Sequence, residues 1–409
     1  MMQLEKIRQE FPALGEQVYG KALVYLDNAA TSQRPLSVLR KWEDMSVKYN
    51  ANLHRAVHRL ADLATQEYEA TRDAVRDYLN AESREEIVFT AGATASINLV
   101  AFSFGEAFVH EGDEIIVCEA EHHSDIVPWQ MLCERKGAVL TVLPVDDDGR
   151  IRVEALPALL TPRTRLLCVA HISNVLGLIN PVKALATICH SVGCRILVDG
   201  AQGIVHEPVD VRELDCDFYV FSGHKVYAAP GTGVLYGRRE LLDRMPPYMG
   251  GGEMIDTVRW SGTTFAPLPQ KFEAGTQNIA GTPTLRPALE MARALRNPAV
   301  EAGMNAIKEF MLNKLSRIPG LRLYGVAGSP EEKIPLFSFS VEQAHHEDLA
   351  LILDKMGIAV RSGQMCAEPL MDRFGVTGML RVSFAPYNTL QEAEYFIQSL
   401  ERAIKMLRG

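Results

Sequence analysis

The sequence predicts an α/β protein, a large domain on a mostly parallel sheet joined to a smaller α+β domain. Three observations carry this. Short apolar runs alternate with longer amphipathic stretches from about residue 85 to 240, the texture changes near residue 290, and a Gly-, Pro- and Thr-rich stretch (246–283) lies between. A chain of 409 residues has room for one large core and a satellite domain.

The apolar runs are EIVFT (86–90), EIIVC (114–118), VLTVL (139–143), LLCVAH (166–171), RILVD (195–199), FYVF (218–221) and GVLYG (233–237). Most are nearly continuous in apolar residues, the pattern of strands covered on both faces. The spacers, such as NPVKALATICHSVG (180–193), have helical periodicity and end at glycine. This alternation is that of a parallel sheet with helices on both sides. Ligands of such sheets bind beyond the carboxyl ends of the strands.

After residue 290 a helix (PTLRPALEMARAL) leads to LFSFSVE, HEDLALILDKMG, IAVRSG and LRVSFAPYNT, and then to a long final helix. Thr389 and Glu392 form the capping-box pattern at its start. The expected division is 21–285 for the large domain, with 1–20 and 286–409 forming the small one. The stretch 246–283 has no sustained period, and a loop of that length inside a compact protein is expected at a functional site or an interface.

Composition narrows the function. The net charge of −9, with no basic stripe, argues against nucleic-acid binding. No run reaches the roughly 20 apolar residues that cross a bilayer, and the amphipathic start lacks a secretory h-region. A cytoplasmic protein is expected. The seven cysteines are odd in number and include no CxxC, so neither a disulfide framework nor a zinc site is indicated.

Three strand ends carry chemistry. In EIVFTAGATASINLVAFSF (86–104) a strand runs through small residues into a helix, a phosphate-binding geometry by helix dipole and free N–H groups. Taken alone, such a corner of small residues is more often only tight packing. Asp199 ends RILVD, where a carboxylate needs a partner; a helix N-cap and a protonated ring nitrogen both satisfy that. FYVFSGHK delivers Ser222, His224 and Lys225 to the same edge. A desolvated lysine amine, an aspartate for a pyridinium and a phosphate cradle together are what pyridoxal phosphate requires.

The segments LDNAATSQRP, NANLHRAVH, EHHSDIVPW, SNVLG, DGAQ, SGHK, FEAGTQN and VRSGQMCAEPL occur in this order. In them the chain resembles class V, fold-type-I pyridoxal-phosphate enzymes, and within these the cysteine desulfurases of the SufS/CsdA branch (group II). The resemblance implies that Lys225 forms the Schiff base, Asp199 pairs with the pyridine nitrogen, and Gln202 donates to the phenolic oxygen. Thr94, Ser222 and His224 would bind the phosphate, with Ala93 beside them and Thr276 reaching in from the other subunit of a homodimer. It places His122 over the ring, aiding proton transfer. Asn174 and Arg381 would hold the substrate carboxylate, a role suited to the guanidinium fork. Ala30, His54 and Arg361 complete the implied substrate contacts, with Arg55 bordering them; His123 is read as structural.

Cys366 sets the reaction. By the resemblance, sulfur passes from L-cysteine to Cys366 as a persulfide, L-alanine leaves, and the sulfur supplies iron-sulfur cluster assembly. The loop is short, so a docking acceptor protein (SufE-like or SufU-like) is expected. Arg361 nearby favours the thiolate, the nucleophilic form. Met365 departs from the histidine more usual before this cysteine, which leaves activation of Cys366 open. The alternatives are a selenocysteine lyase or another class V enzyme, and a non-catalytic pyridoxal-phosphate-bound scaffold for sulfur transfer. A Rossmann dinucleotide site is disfavoured because no GxGxxG follows the first strand.

Overall fold

The computed structural model describes residues 2–55, 57–326 and 328–409. Met1 of the N-terminal segment and Ala56 of NANLHRAVH lie outside the described residues.

Seven strands form the main sheet: β1 (Ile87–Thr90), β2 (Glu114–Cys118), β3 (Val139–Leu143), β4 (Thr164–Ala170), β5 (Arg195–Asp199), β6 (Phe218–Ser222) and β7 (Gly233–Gly237). Their order across the sheet is β1-β7-β6-β5-β4-β2-β3. The pairs β3-β2, β2-β4, β4-β5 and β5-β6 are parallel. Only β7 runs against its neighbours. The predicted apolar runs therefore become strands within a residue or two. In β5, β6 and β7 nearly every residue is buried, as continuous apolar runs require. By contrast β3 is an edge strand, and its Val139 and Val142 are exposed.

The sheet topology puts the ends of β1, β2, β4, β5 and β6 along one edge. The crossing of β7 past β1 is close: a Cβ on Gly233 would stand 2.3 Å from the Gly92 Cα. Only glycine admits this approach, and it brings the 91–94 corner next to the end of β6.

A second sheet, wholly antiparallel, has the order β8 (Leu321–Tyr324), β9 (Leu336–Val341), β11 (Met379–Ser383), β10 (Arg361–Gly363). The final helix Leu390–Arg408 covers it, opened by the capping box of Thr389 and Glu392. Val24–Tyr25 pairs in parallel with Ile358–Ala359, so the start of the chain is stitched to this sheet.

Three features differ from the sequence expectation. The helix Leu285–Leu295 packs Leu285, Ala288, Leu289, Ala292 and Leu295 into the same apolar cluster as strands of the main sheet. By packing it goes with the large sheet, because its apolar stripe is buried in that cluster. The N-terminal segment touches both parts: Phe11 stacks near Tyr227 and Tyr387, and Arg8 pairs with Glu392. The aperiodic 246–283 stretch holds an antiparallel hairpin, Ile255–Arg259 with Gly262–Phe265. Both faces of that hairpin are mostly exposed, so no burial selected an alternating pattern for periodicity to reveal. No described helix is long and apolar enough to cross a membrane.

Candidate active site

A cavity of about 230 Å³ opens at the carboxyl edge of the main sheet. It is lined by Ala30, Ala93, Thr94, His122, Asn174, Asp199, Gln202, Ser222, His224, Lys225, Arg361, Cys366 and Arg381, together with Met365 and a few small neighbours.

The floor comes from strand ends. After β1 the chain turns at Gly92 into the helix Ala93–Phe108. The Ala93 N–H donates to Ser222 Oγ at 2.8 Å, and Thr94 Oγ1 lies 2.7 Å from Ser124 Oγ. A helix N-terminus ringed by hydroxyls can hold an anion. After β5, Asp199 Oδ1 accepts from the Ala201 N–H at 2.8 Å, while Gln202 Nε2 donates to the Ala29 carbonyl at 2.8 Å. After β6 the His224 carbonyl accepts from Ser32, which ties the LDNAATS segment to the turn carrying Lys225.

Lys225 Nζ makes no hydrogen bond among the described residues. Burial pushes its amine below the usual lysine range, and the Asp199 charge opposes this only in part. Such a lysine offers a free amine more readily than a surface one. His122 Nδ1 accepts from the Ser124 N–H at 3.0 Å, so a neutral ring carries its proton on Nε2. Burial, then the Lys225 charge, brings the imidazole down to about 4. His122 is a neutral, flat group over the cavity.

The opposite wall comes from the antiparallel sheet. Arg381 is 3% exposed; it donates to the Asn174 carbonyl at 2.7 Å and to Asp27 Oδ1 at 3.2 Å. Arg361 stands 3.7 Å from the other oxygen of Asp27. One carboxylate thus faces two guanidinium groups, leaving an excess of positive charge at this wall. The Arg381 Nε finds no partner among the described residues. A buried cation and an unmatched donor suit an incoming carboxylate.

Cys366 is the exposed one of the seven cysteines; the other six are buried. Its loop is pinned at three points: Asn174 Nδ2 donates to the Met365 carbonyl at 2.9 Å, the His123 N–H to the Cys366 carbonyl at 2.7 Å, and the Glu368 N–H to His123 Nε2 at 3.0 Å. Met365 and Cys366 have φ of 54° and 56°, a left-handed pair costing on the order of 1–3 kcal/mol per residue. Met365 is buried in the apolar cluster with Leu370 and Met371. Its side chain therefore anchors the loop by packing.

Two expectations are not met within one chain. His54 is absent from the cavity because Glu69 holds its ring at 3.1 Å, and Arg55 pairs with Glu253 at 3.2 Å. Thr276 lines a different cavity, of about 280 Å³, beside Tyr68, Gly231 and Glu273. Sequence reasoning also missed Asp27, Ser124 and the buried acids Glu121 and Asp125. Asp27 was findable, since VYLD ends an apolar run in an aspartate as RILVD does. Asp125, in HHSDIVPW, carried only the signal of an acid ahead of a helix.

Residues 24–396 match the family model described as Aminotransferase class-V. The chain is 44% identical to a probable cysteine desulfurase of Vibrio cholerae over 407 residues, covering 100% of each. It is 45% identical to a cysteine desulfurase of Pectobacterium atrosepticum, covering 99% of this chain and 98% of the relative. Among solved structures it resembles the cysteine desulfurase CsdA of Escherichia coli, with a TM-score of 0.90 and 40% identity over 99% of each chain. A cysteine desulfurase of Thermococcus onnurineus gives a TM-score of 0.92 at 36% identity over 98% of each. The chain belongs to the class-V aminotransferase family.

Proposed function

We propose that this chain is a pyridoxal-phosphate-dependent cysteine desulfurase that moves the sulfur of L-cysteine onto Cys366. The observation that carries the reading is convergence: Lys225, Asp199, Arg381 and Cys366, far apart in sequence, line one cavity.

The residues present fit the cofactor. Lys225 Nζ, unpaired and held towards neutrality, is the covalent anchor. Asp199 is the anion for the ring nitrogen, and the Thr94, Ser222 and His224 corner takes the phosphate. Gln202 donates to Ala29 in this chain and would exchange that bond for the phenolic oxygen. When bound, the cofactor supplies an electrophilic carbon for the substrate amine and a ring that accepts electrons from the α-carbon.

The chain's own groups do the rest. Arg381 and Asn174 grip the substrate carboxylate, fixing the orientation of the α-carbon. The Lys225 amine takes and returns the α-proton, with His122 as the neutral wall beside it. The Cys366 thiolate attacks the substrate sulfur. An S–S bond forms, the Cβ–S bond breaks, and the carbon that keeps the electron pair is protonated to give L-alanine.

The persulfide on an exposed, pinned loop suits delivery to a docking acceptor protein of the SufE or SufU kind, for iron-sulfur cluster assembly in the cytoplasm. A homodimer is supported by the exposed hairpin, where Trp260 is fully exposed, Val258 largely so and Phe265 about half, an apolar surface unusual on a monomer. Thr276, outside its own chain's cavity, is then available to the partner's. A monomer in sedimentation that keeps full activity would refute this. Activity on L-selenocysteine is compatible with the same groups.

The test is release of L-alanine and sulfide from L-cysteine by the wild type and Cys366→Ala. Both proteins should be yellow, and only the wild type should turn over cysteine. Undiminished desulfuration by Cys366→Ala would sink the persulfide route.

A further inference from the structure

Behind Asp199 lies a group of acids that the proposed chemistry does not use. Asp125 and Glu121 are 0% and 1% exposed, and both face Asp199. Asp125 Oδ1 accepts from the Cys168 thiol at 3.4 Å. Its Oδ2 is fully enclosed and has no donor among the described residues, although the carboxyl lies within hydrogen-bonding reach of Asp199. Two carboxylate oxygens in such contact repel unless one carries a proton. The unmatched Oδ2 is accounted for if it is a hydroxyl.

We propose that Asp125 stands protonated at neutral pH and donates to Asp199, as a positioning residue that fixes the Asp199 carboxylate for the cofactor ring nitrogen. The neighbours leave little alternative. From β5 comes Asp199, from the turn after β2 Glu121, and from β4 Cys168; none is a cation. His122 is neutral, and Lys225, the nearest cation, is itself pushed towards the free amine by burial. Burial and the two adjacent acids hold the Asp125 carboxyl well above the usual range. The resulting chain runs Cys168 to Asp125 to Asp199, with the Ala201 N–H closing on Asp199 from the other side. It leaves Asp199 a single orientation.

The role rests on Asp199 meeting the ring nitrogen, but its first test does not depend on desulfurase activity. Infrared spectra of the full-length holoprotein at pH 8 should show a protonated carboxylic acid C=O stretch that Asp125→Asn lacks; superimposable spectra overturn the proposal. Glu121, also pushed up by burial, contributes its own band to both proteins.

The linkage has a definite sign. A carboxyl whose folded pKa is raised holds a proton that the unfolded chain has lost, so its stabilisation is lost as pH rises above the ordinary carboxylate range. The wild type should therefore lose stability relative to Asp125→Asn by about tenfold in the unfolding equilibrium constant per pH unit from about pH 5 upward. A difference in melting temperature that is flat with pH overturns the proposal. For the positioning role, Asp125→Asn, whose amide still donates to Asp199, should retain the yellow cofactor on dialysis, and Asp125→Leu should lose it several-fold faster. Equal retention by Asp125→Leu overturns that role. If Asp125→Leu does not fold, Asp125→Ala takes its place, with the same expected and overturning results.

Discussion

Lys225 and Cys366 face one cavity from walls of different construction. The Lys225 wall is the edge of a parallel sheet, where buried strands end in short turns and each turn is tied to the next. The Cys366 wall is a surface loop of an antiparallel sheet, held by three hydrogen bonds and one buried methionine. The first arrangement suits a group that stays put, since its geometry is fixed by the core itself. The second suits a group that must meet both a substrate inside and an acceptor outside. Rigidity and access are thus divided between two scaffolds.

Mutations can break this comparison at either wall. The largest effect is expected from Lys225→Ala, which should abolish both the covalent hold on the cofactor and turnover; residual wild-type turnover in that variant would remove the floor from the account. Next comes Cys366→Ala, which should reduce desulfuration to background while leaving the cofactor spectrum intact. A change in that spectrum would mean that the two walls are not independent.

The floor has a buried support of its own. Arg72 and Glu273, both almost wholly enclosed, join through two hydrogen bonds at 2.7 and 2.9 Å, and they also bond to the backbone of β1 at Ile87 and Phe89. Removing one partner strands the other charge, so Arg72→Ala should destabilise the fold by roughly 3–5 kcal/mol, read as a lower denaturation midpoint. A shift under about 1 kcal/mol would show the pair to be solvated.

Two smaller effects probe the roof. Arg381→Lys keeps a charge but loses the fork, and should lower kcat/KM for L-cysteine by about 10- to 100-fold with the cofactor spectrum unchanged. His123→Ala removes the acceptor for the Glu368 N–H, and should raise the alkylation rate of Cys366 and lower kcat by about tenfold. His123→Gln, which restores an acceptor, should recover part of the loss. Identical alkylation rates in all three proteins would show that the His123 ring does not hold the loop, leaving Met365 and the bonds to the Met365 and Cys366 carbonyls to do so.

Elements buried on two sides are the ones most legible in the sequence. Strands β5, β6 and β7 are of this kind, because enclosed parallel strands are continuous in apolar residues, and the ends of β5 and β6 point to Asp199 and Lys225 directly. The hairpin at 255–265 is not legible, because neither of its faces is buried. Cys366 is legible through its motif, while its setting is not. That Met365 is an apolar anchor, and that His123 spends its ring nitrogen on Glu368, depends on contacts between segments far apart in the chain. Asp125 escapes for the same reason, since it gains its meaning from a charge on another element, whereas Asp27 ends an apolar run just as Asp199 does. His54 shows the converse, a motif position that Glu69 holds away from the cavity of its own chain.

The most direct test of the account follows the sulfur itself. Holoenzyme mixed with a stoichiometric amount of L-cysteine, without acceptor or reductant, would be digested and the cysteine peptides weighed. The account predicts one added sulfur atom on the Cys366 peptide, matched by one L-alanine, and none on the peptides of the six buried cysteines. Alanine formation with an unmodified Cys366, or sulfur carried by another cysteine, would contradict it.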